Sequence, residues 1–163
     1  MQRALIYLAI SVALAACASV RQPHFGVREG ALAPCAQIQG CVSSQAADPE
    51  QRVEPMRYDV TRQEAKAILL TVLNDTHGLT VVSNHRNYVR VELREESMDD
   101  FPGASAVIDD VEFYLDPTSR VIHLRAEPRL SRPDAETNRA RLEALNQRFE
   151  ALHERYHRQN PLR

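Results

Sequence analysis

Between residues 53 and 156 the apolar positions switch between the period of a helix and that of a half-buried strand. Ala65, Ile68, Leu69, Val72 and Leu73 fall at i, i+3, i+4, i+7 and i+8 and form one apolar stripe. Thr61-Arg62-Gln63-Glu64 just ahead has the spacing of a capping box, so the pattern predicts a helix starting here, with Gly78 as its left-handed stop. Upstream, Val53 to Tyr58 reads as a short strand, and Pro55 inside it suits a sheet edge. Leu79 to Ser83 and Tyr88 to Arg94 flank Asn84-His85-Arg86-Asn87; Val89, Val91 and Leu93 alternate with Arg90, Glu92 and Arg94, a hairpin with one wet face. Ala106 to Leu115 and Arg120 to Glu127 flank Asp116-Pro117-Thr118-Ser119 and predict a second. Ser131 to Asp134 reads as a helix start, and Leu142, Leu145, Phe149, Leu152 and Tyr156 carry a long amphipathic helix to the end of the chain. The order strand, helix, four strands, helix predicts an α+β fold: an antiparallel sheet of four to five strands with two helices on one face.

Burial sets the register expected in the second hairpin. With Leu115 facing Arg120, Val111, Phe113, Ile122 and Leu124 share the core face, and a one-residue slip would mix the faces. On the other face Glu112 then lies opposite His123 and Asp110 opposite Arg125, with Glu112 diagonal to Arg125. Arg129, Asn138 and Arg139 follow at the turn into the last helix. Two readings stand: an exposed ladder of ion pairs with a helix cap, or a polar pocket holding an anionic or sugar-like ligand through its arginines.

The N-terminal segment carries an address. After Met1, Gln2 and Arg3, the stretch Ala4 to Ala16 is apolar but short for a membrane span, so residues 1–16 read as a signal peptide. Leu14-Ala15-Ala16-Cys17 resembles the lipobox of bacterial lipoproteins, which implies cleavage after Ala16 and a lipidated Cys17. Two or three acyl chains hold a protein firmly where one does not, so the membrane partner is reached through an anchor. Ala18 and Ser19, with no Asp after the cysteine, resemble lipoproteins sent to the outer membrane, periplasmic leaflet. Residues 17–34 then read as lipidated terminus and flexible tether, 35–158 as one domain and 159–163 as a tail. With Cys17 acylated, Cys35 and Cys41 are the remaining thiols in an oxidising compartment and are expected to pair; the rivals are a redox or metal-binding pair, for which the spacing and neighbours are poor.

Composition narrows the function classes. The 163 residues are 44% apolar and 26% charged, with 20 Lys+Arg against 22 Asp+Glu and a net charge of -2. That is the profile of one globular domain without the basic excess of a nucleic-acid binder. No Gly-x-Ser-x-Gly elbow surrounds Ser43 or Ser44, and no Gly-rich phosphate loop occurs, so neither a lipase nor an NTPase is supported. Glu95, Glu96, Asp99 and Asp100 lack the ligand alternation of an EF-hand and read as a solvated loop. His153-Glu154-Arg155-Tyr156-His157 spells His-Glu-x-x-His, which on a helix puts two imidazoles on one face. A catalytic zinc needs a third protein ligand, and the short tail after His157 offers no downstream ligand helix, so no metal and no cofactor is expected.

The segment Cys35 to Ser44, with Cys41-Val42-Ser43-Ser44, resembles the cysteine-rich opening of the bacterial domain of unknown function family 1499. The resemblance continues through Asp109-Asp110-Val111-Glu112-Phe113, Arg125, Arg129, Asp134 and Asn138-Arg139, covering about residues 35 to 150. Ala36, Gln39 and Gly40 stand where family members carry prolines and an Asn, and Asp99 to Gly103 read as an insertion. The resemblance implies a name and no activity. Asp110, Glu112, Arg125, Arg129, Asp134, Asn138 and Arg139 are thus the candidate polar cluster. The expected function is a lipid-anchored envelope module, non-enzymatic, that binds an envelope ligand or protein and no nucleic acid. The alternative is an envelope hydrolase or transferase with Asp110 or Glu112 as general base and Arg125 or Arg129 as anion stabiliser.

Overall fold

The computed structural model of the chain describes residues 25–35, 39–95, 107–129 and 135–160. The expected α+β fold is present. Two helices, α1 (Arg62–Asn74) and α2 (Ala135–Gln159), lie on one face of an antiparallel sheet. The sheet's long strands are β5 (Leu79–His85), β6 (Tyr88–Glu95), β7 (Val107–Leu115) and β8 (Val121–Pro128), paired in chain order. Beyond β8 the outer edge is closed by two fragments placed end to end: β3 (Val42–Ser43) against Arg125 and Ala126, and β4 (Met56–Arg57) against Val121 and Ile122. The predicted Val53–Tyr58 strand thus shrinks to its last part, after Pro55, and shares its edge with residues that follow Cys41. A 3-10 turn over Pro49–Gln51 lies between the fragments.

Local chemistry explains α1. Thr61 Oγ1 accepts from the Glu64 N–H while the Glu64 carboxylate accepts from the Thr61 N–H, the predicted capping box. Its buried residues are the five of the stripe, Ala65, Ile68, Leu69, Val72 and Leu73. The stop differs from expectation: the helix ends at Asn74 with Asp75 as right-handed cap, and Gly78 lies beyond it. Gly78, at φ +81°, is needed for a close approach instead, since a Cβ there would sit 2.8 Å from the Arg94 carbonyl oxygen.

The core lies between helices and sheet. Leu142, Leu145 and Phe149 of α2 pack with the α1 stripe onto Val89, Val91, Val111, Phe113, Leu115, Ile122, Leu124 and Ala126. The face assignment from burial therefore holds, but the register does not. Leu115 pairs with Ile122 rather than Arg120, a shift of two residues along β8. The loop is wide because Asp116 folds it: its carboxylate accepts from the Thr118 N–H, the Thr118 hydroxyl and the Ser119 hydroxyl. The first hairpin is tighter than expected, with His85 paired to Tyr88 across Arg86-Asn87.

Part of the expected tether is folded. β1 (Val27–Arg28) and β2 (Ala31–Leu32) form a hairpin, with positive φ at both turn residues, Glu29 (52°) and Gly30 (78°). It lies across the sheet from the helices, where the Gln45 amide ties both its strand and its turn, accepting from Leu32 N–H and donating to Gly30 O. Cys35 and Cys41 form the expected disulfide. The 1–16 segment, Cys17, the 99–103 insertion and the Ser131–Asp134 helix start lie outside the described residues. Among those described, no helix is long and apolar enough to cross a membrane.

Candidate functional site

On the sheet's second face, β6, β7 and β8 present three cross-strand rows. Tyr88, Tyr114 and His123 form the first; Arg90, Glu112 and Arg125 the second; Glu92, Asp110 and Glu127 the third. The two-residue register shift is what builds them. Glu112 lies directly opposite Arg125, not His123, and Asp110 lies opposite Glu127, not Arg125. Three carboxylates side by side would repel one another, and three arginines offset this from the neighbouring positions. Arg90 Nη1 donates to Asp110 Oδ1 at 2.6 Å. Arg129, just past β8, donates through Nε to Asp110 Oδ2 at 2.6 Å, through Nη2 to Asp110 Oδ1 at 2.9 Å, and also to Glu92. Arg125 Nη1 donates to Glu112 Oε2 at 2.7 Å, and its Nη2 donates to Glu127.

The cluster is not a wet ladder, because its centre is closed. Glu112 is 0% exposed, and Asp110 and Arg125 are each 1%. The β1–β2 hairpin and the residues before it provide the cover: the Gly26 N–H donates to Glu112 Oε1 at 2.7 Å, and the Phe25 ring lies 4.5 Å from the Arg90 guanidinium carbon. Tyr88 donates its phenol hydrogen to the same Oε1 at 2.7 Å. Burial first, and then this bond to Glu112, push the Tyr88 phenol far above its ordinary range. The Asp110 hydrogen bonds hold the Arg129 guanidinium above its own. In the aromatic row, burial lowers the His123 pKa; its Nδ1 lies 3.2 Å from Ser44 Oγ, and its ring stacks on Tyr114.

A general base must show a lone pair to a substrate. Both oxygens of Asp110 accept arginine hydrogens, and both of Glu112 have donors, in a space the hairpin fills. This arrangement fixes the sheet and the hairpin to each other.

The other predicted members of the cluster lie elsewhere. Asn138 is buried on the helix side, where Nδ2 donates to Gly40 O at 2.9 Å and Oδ1 accepts from Arg141 at 2.9 Å, so it holds the disulfide loop to α2. Arg141 also bonds Asp109, which shares the core face of β7. Arg139 donates to the Arg52 and Glu50 carbonyls and secures the 3-10 turn. Asp134 lies outside the described residues. Of the seven residues proposed, the structure joins Asp110, Glu112, Arg125 and Arg129. Tyr88, Arg90, Glu92 and Glu127 are the partners that reading missed; their alternation on β6 and β8 was the available signal.

Near Arg139 is an open groove of about 480 Å³ between residues 49–54 and the first half of α2, walled by Arg52, Val53, Glu54, Leu142, Glu143 and Asn146. Its arginines are engaged: Arg52 donates to the Ala46 and Ala47 carbonyls, as Arg139 does to its own. Its acceptors are not matched in the same way. Asn146 Oδ1 is buried with no hydrogen-bond partner, and Glu54 and Glu143 are exposed.

Residues 31–149 match the family described as protein of unknown function (DUF1499), well over half of the chain. No curated protein and no solved structure matches. With the cysteine opening, the Asp-Asp-Val-Glu-Phe strand, Arg125 and Arg129 all inside the matched span, the chain belongs to the DUF1499 family.

Proposed function

We propose that this chain is a lipid-anchored module of the bacterial cell envelope that binds an envelope component, without catalysis, in the groove between residues 49–54 and α2. The anchor rests on Leu14-Ala15-Ala16-Cys17 after an apolar stretch, and Ala18 and Ser19 favour the periplasmic leaflet of the outer membrane. Phe25 follows Cys17 by eight positions, a reach of at most about 28 Å. Phe25 lies on the polar face, so the anchored segment joins the domain on the side opposite the helix layer and its groove.

One observation carries the binding site: the carboxylates of the sheet face are each paired with an arginine, whereas the groove wall keeps an acceptor, Asn146 Oδ1, without a donor. With Glu54 and Glu143 beside it, the groove suits a ligand rich in donors, such as a hydroxyl- or amine-bearing saccharide or peptide of the envelope. The rival hydrolase or transferase would have to bring its substrate to Asp110 or Glu112 through the hairpin.

Photocrosslinking in living cells tests this. A crosslinker at Glu54 or Glu143 is expected to capture a discrete envelope component, while one at Thr80, exposed on β5, captures none. Adducts from Thr80 alone would overturn the assignment.

A further inference from the structure

Segments far apart in the chain meet at one end of the sheet. The entry to α1 leans on the loop between β7 and β8, where Arg62 donates to Pro117 O at 3.3 Å and Arg120 donates to Asp59 O. Lys66, in the second turn of α1, donates to the His85 and Arg86 carbonyls of the β5–β6 turn. The last turns of α2 complete the group. The Tyr156 hydroxyl donates to Glu64 Oε1 at 2.8 Å, and the Asp59 oxygens lie 2.8 Å from His153 Nε2 and 3.1 Å from His157 Nε2. The two histidines of the His-Glu-x-x-His sequence therefore face the entry of α1.

Charge collects unequally at this end. Arg57, Arg62, Lys66, Arg86, Arg120 and Arg155 form no ion pair with any described carboxylate. Backbone carbonyls hold Arg62, Lys66 and Arg120 in place without neutralising them, and Arg57, Arg86 and Arg155 are exposed with no side-chain partner among the described residues. The carboxylates here are engaged within the protein: Asp59 by the imidazoles, Glu64 by the capping box and Tyr156, Asp116 by its own loop, and Glu154 by Arg158 at 3.7 Å. The chain as a whole is at -2, so this end is a local positive excess on an acidic protein. We propose that it docks on the anionic phospholipid headgroups of the bilayer that holds the anchor, an inference that rests on the acylation of Cys17 proposed above. Guanidinium groups fit phosphate oxygens in pairs, and each cation near an anionic leaflet adds to the attraction.

The anchor permits this orientation. Phe25 lies over Arg90, two residues along β6 from Tyr88 at the turn, so the positive end begins about 7 Å from where the anchored segment joins the domain. That is well inside the reach of at most about 28 Å from Cys17 to Phe25. The groove stays clear of the bilayer, because Asn146 precedes His157 by eleven positions on α2, about 16 Å along the helix axis.

Hydrogen exchange of the full-length product purified from envelopes, bound to vesicles of phosphatidylcholine alone or of equimolar phosphatidylcholine and phosphatidylglycerol, tests the docking. On the mixed vesicles exchange at residues 84–88 and 116–120 is expected to slow about five-fold or more, the factor that one Lys or Arg contributes near an anionic surface. Residues 74–78, at the opposite end of the sheet beside Arg94, should be unchanged. About 0.5 M sodium chloride, which shortens the Debye length to roughly 4 Å, should restore the faster exchange. Arg86→Gln with Arg155→Gln, both exposed, should restore it without salt. Equal exchange on the two kinds of vesicle, or slowing that the double variant keeps in full, would overturn the inference. Retention on phosphatidylcholine alone reports the anchor separately: a chain that leaves those vesicles but stays on the mixed ones docks without an anchor, and one that leaves both overturns the docking and the anchor together.

Discussion

Replacing Glu112 by Met asks whether the charged face is a scaffold or a site. Glu112 is 0% and Arg125 1% exposed, so the substitution leaves Arg125 Nη1 buried without its carboxylate, beside an Nε that already has no partner. Breaking one side of a buried pair costs about 3–5 kcal/mol. The Gly26 N–H and the Tyr88 hydroxyl also lose their acceptor, at about 1–3 kcal/mol for each that stays buried. A loss near 5 kcal/mol is a large share of an ordinary domain's about 5–15 kcal/mol, and lowers the melting temperature by at least about 10 °C. Met at both Glu112 and Arg125 removes the stranded charge, so the double variant should be more stable than Glu112→Met by about 2 kcal/mol. Urea unfolding followed by far-UV circular dichroism measures the parent, the two single variants and the double variant. A Glu112→Met cost under about 1 kcal/mol, with additive single effects, would refute the scaffold reading and return this face to the list of binding surfaces.

Three further outcomes follow from local chemistry. Cys35→Ser with Cys41→Ser opens a ring of sequence separation 6 and should cost about 2 kcal/mol on the loop-entropy model, read from the same urea curves. Gly78→Ala places a Cβ 2.8 Å from the Arg94 carbonyl at a φ of +81°, so its melting temperature should fall by more than the few degrees that about 1 kcal/mol produces. Burial holds the His123 pKa below its ordinary 6.5. The unfolded chain then binds the proton more readily, so this contribution to stability is present above pH 6.5 and is lost as pH falls from there toward the folded value. Melting curves between pH 7.5 and 5.5, about the range of histidine titration, should show a steeper loss for the parent than for His123→Gln.

What the sequence disclosed, and what it hid, divides along physical lines. The α1 capping box and the core stripes were legible because each rests on contacts within one or two helical turns, or on alternation along one strand. The register of β7 and β8 was not. A two-residue slip keeps every side chain on its own face, so burial cannot detect it, and the deciding interactions are the Asp116 carboxylate bonds inside the loop. The hairpin over residues 27–32 carries little sequence signal because its strands have two residues each and its turn is Glu29-Gly30, outside the Asn-Gly and Asp-Gly signals. It decides the character of the site, since with the residues before it the hairpin turns a face expected to be polar and open into a buried network. Asp59 was hidden for another reason: it meets His153 and His157 only once α2 has packed beside α1. The groove offered no signal beyond Arg139, because Glu54 meets Glu143 and Asn146 only once residues 49–54 have packed beside α2.

Native mass spectrometry of the full-length product, extracted from envelopes in mild detergent under non-reducing conditions, tests the central claim most directly. The account predicts a chain beginning at an acylated Cys17, with Cys35 and Cys41 oxidised, carrying a bound envelope component that Glu143→Arg, an exposed position on the groove wall, removes. An unacylated N-terminus, or a ligand retained by Glu143→Arg and released by Glu112→Gln, would contradict it.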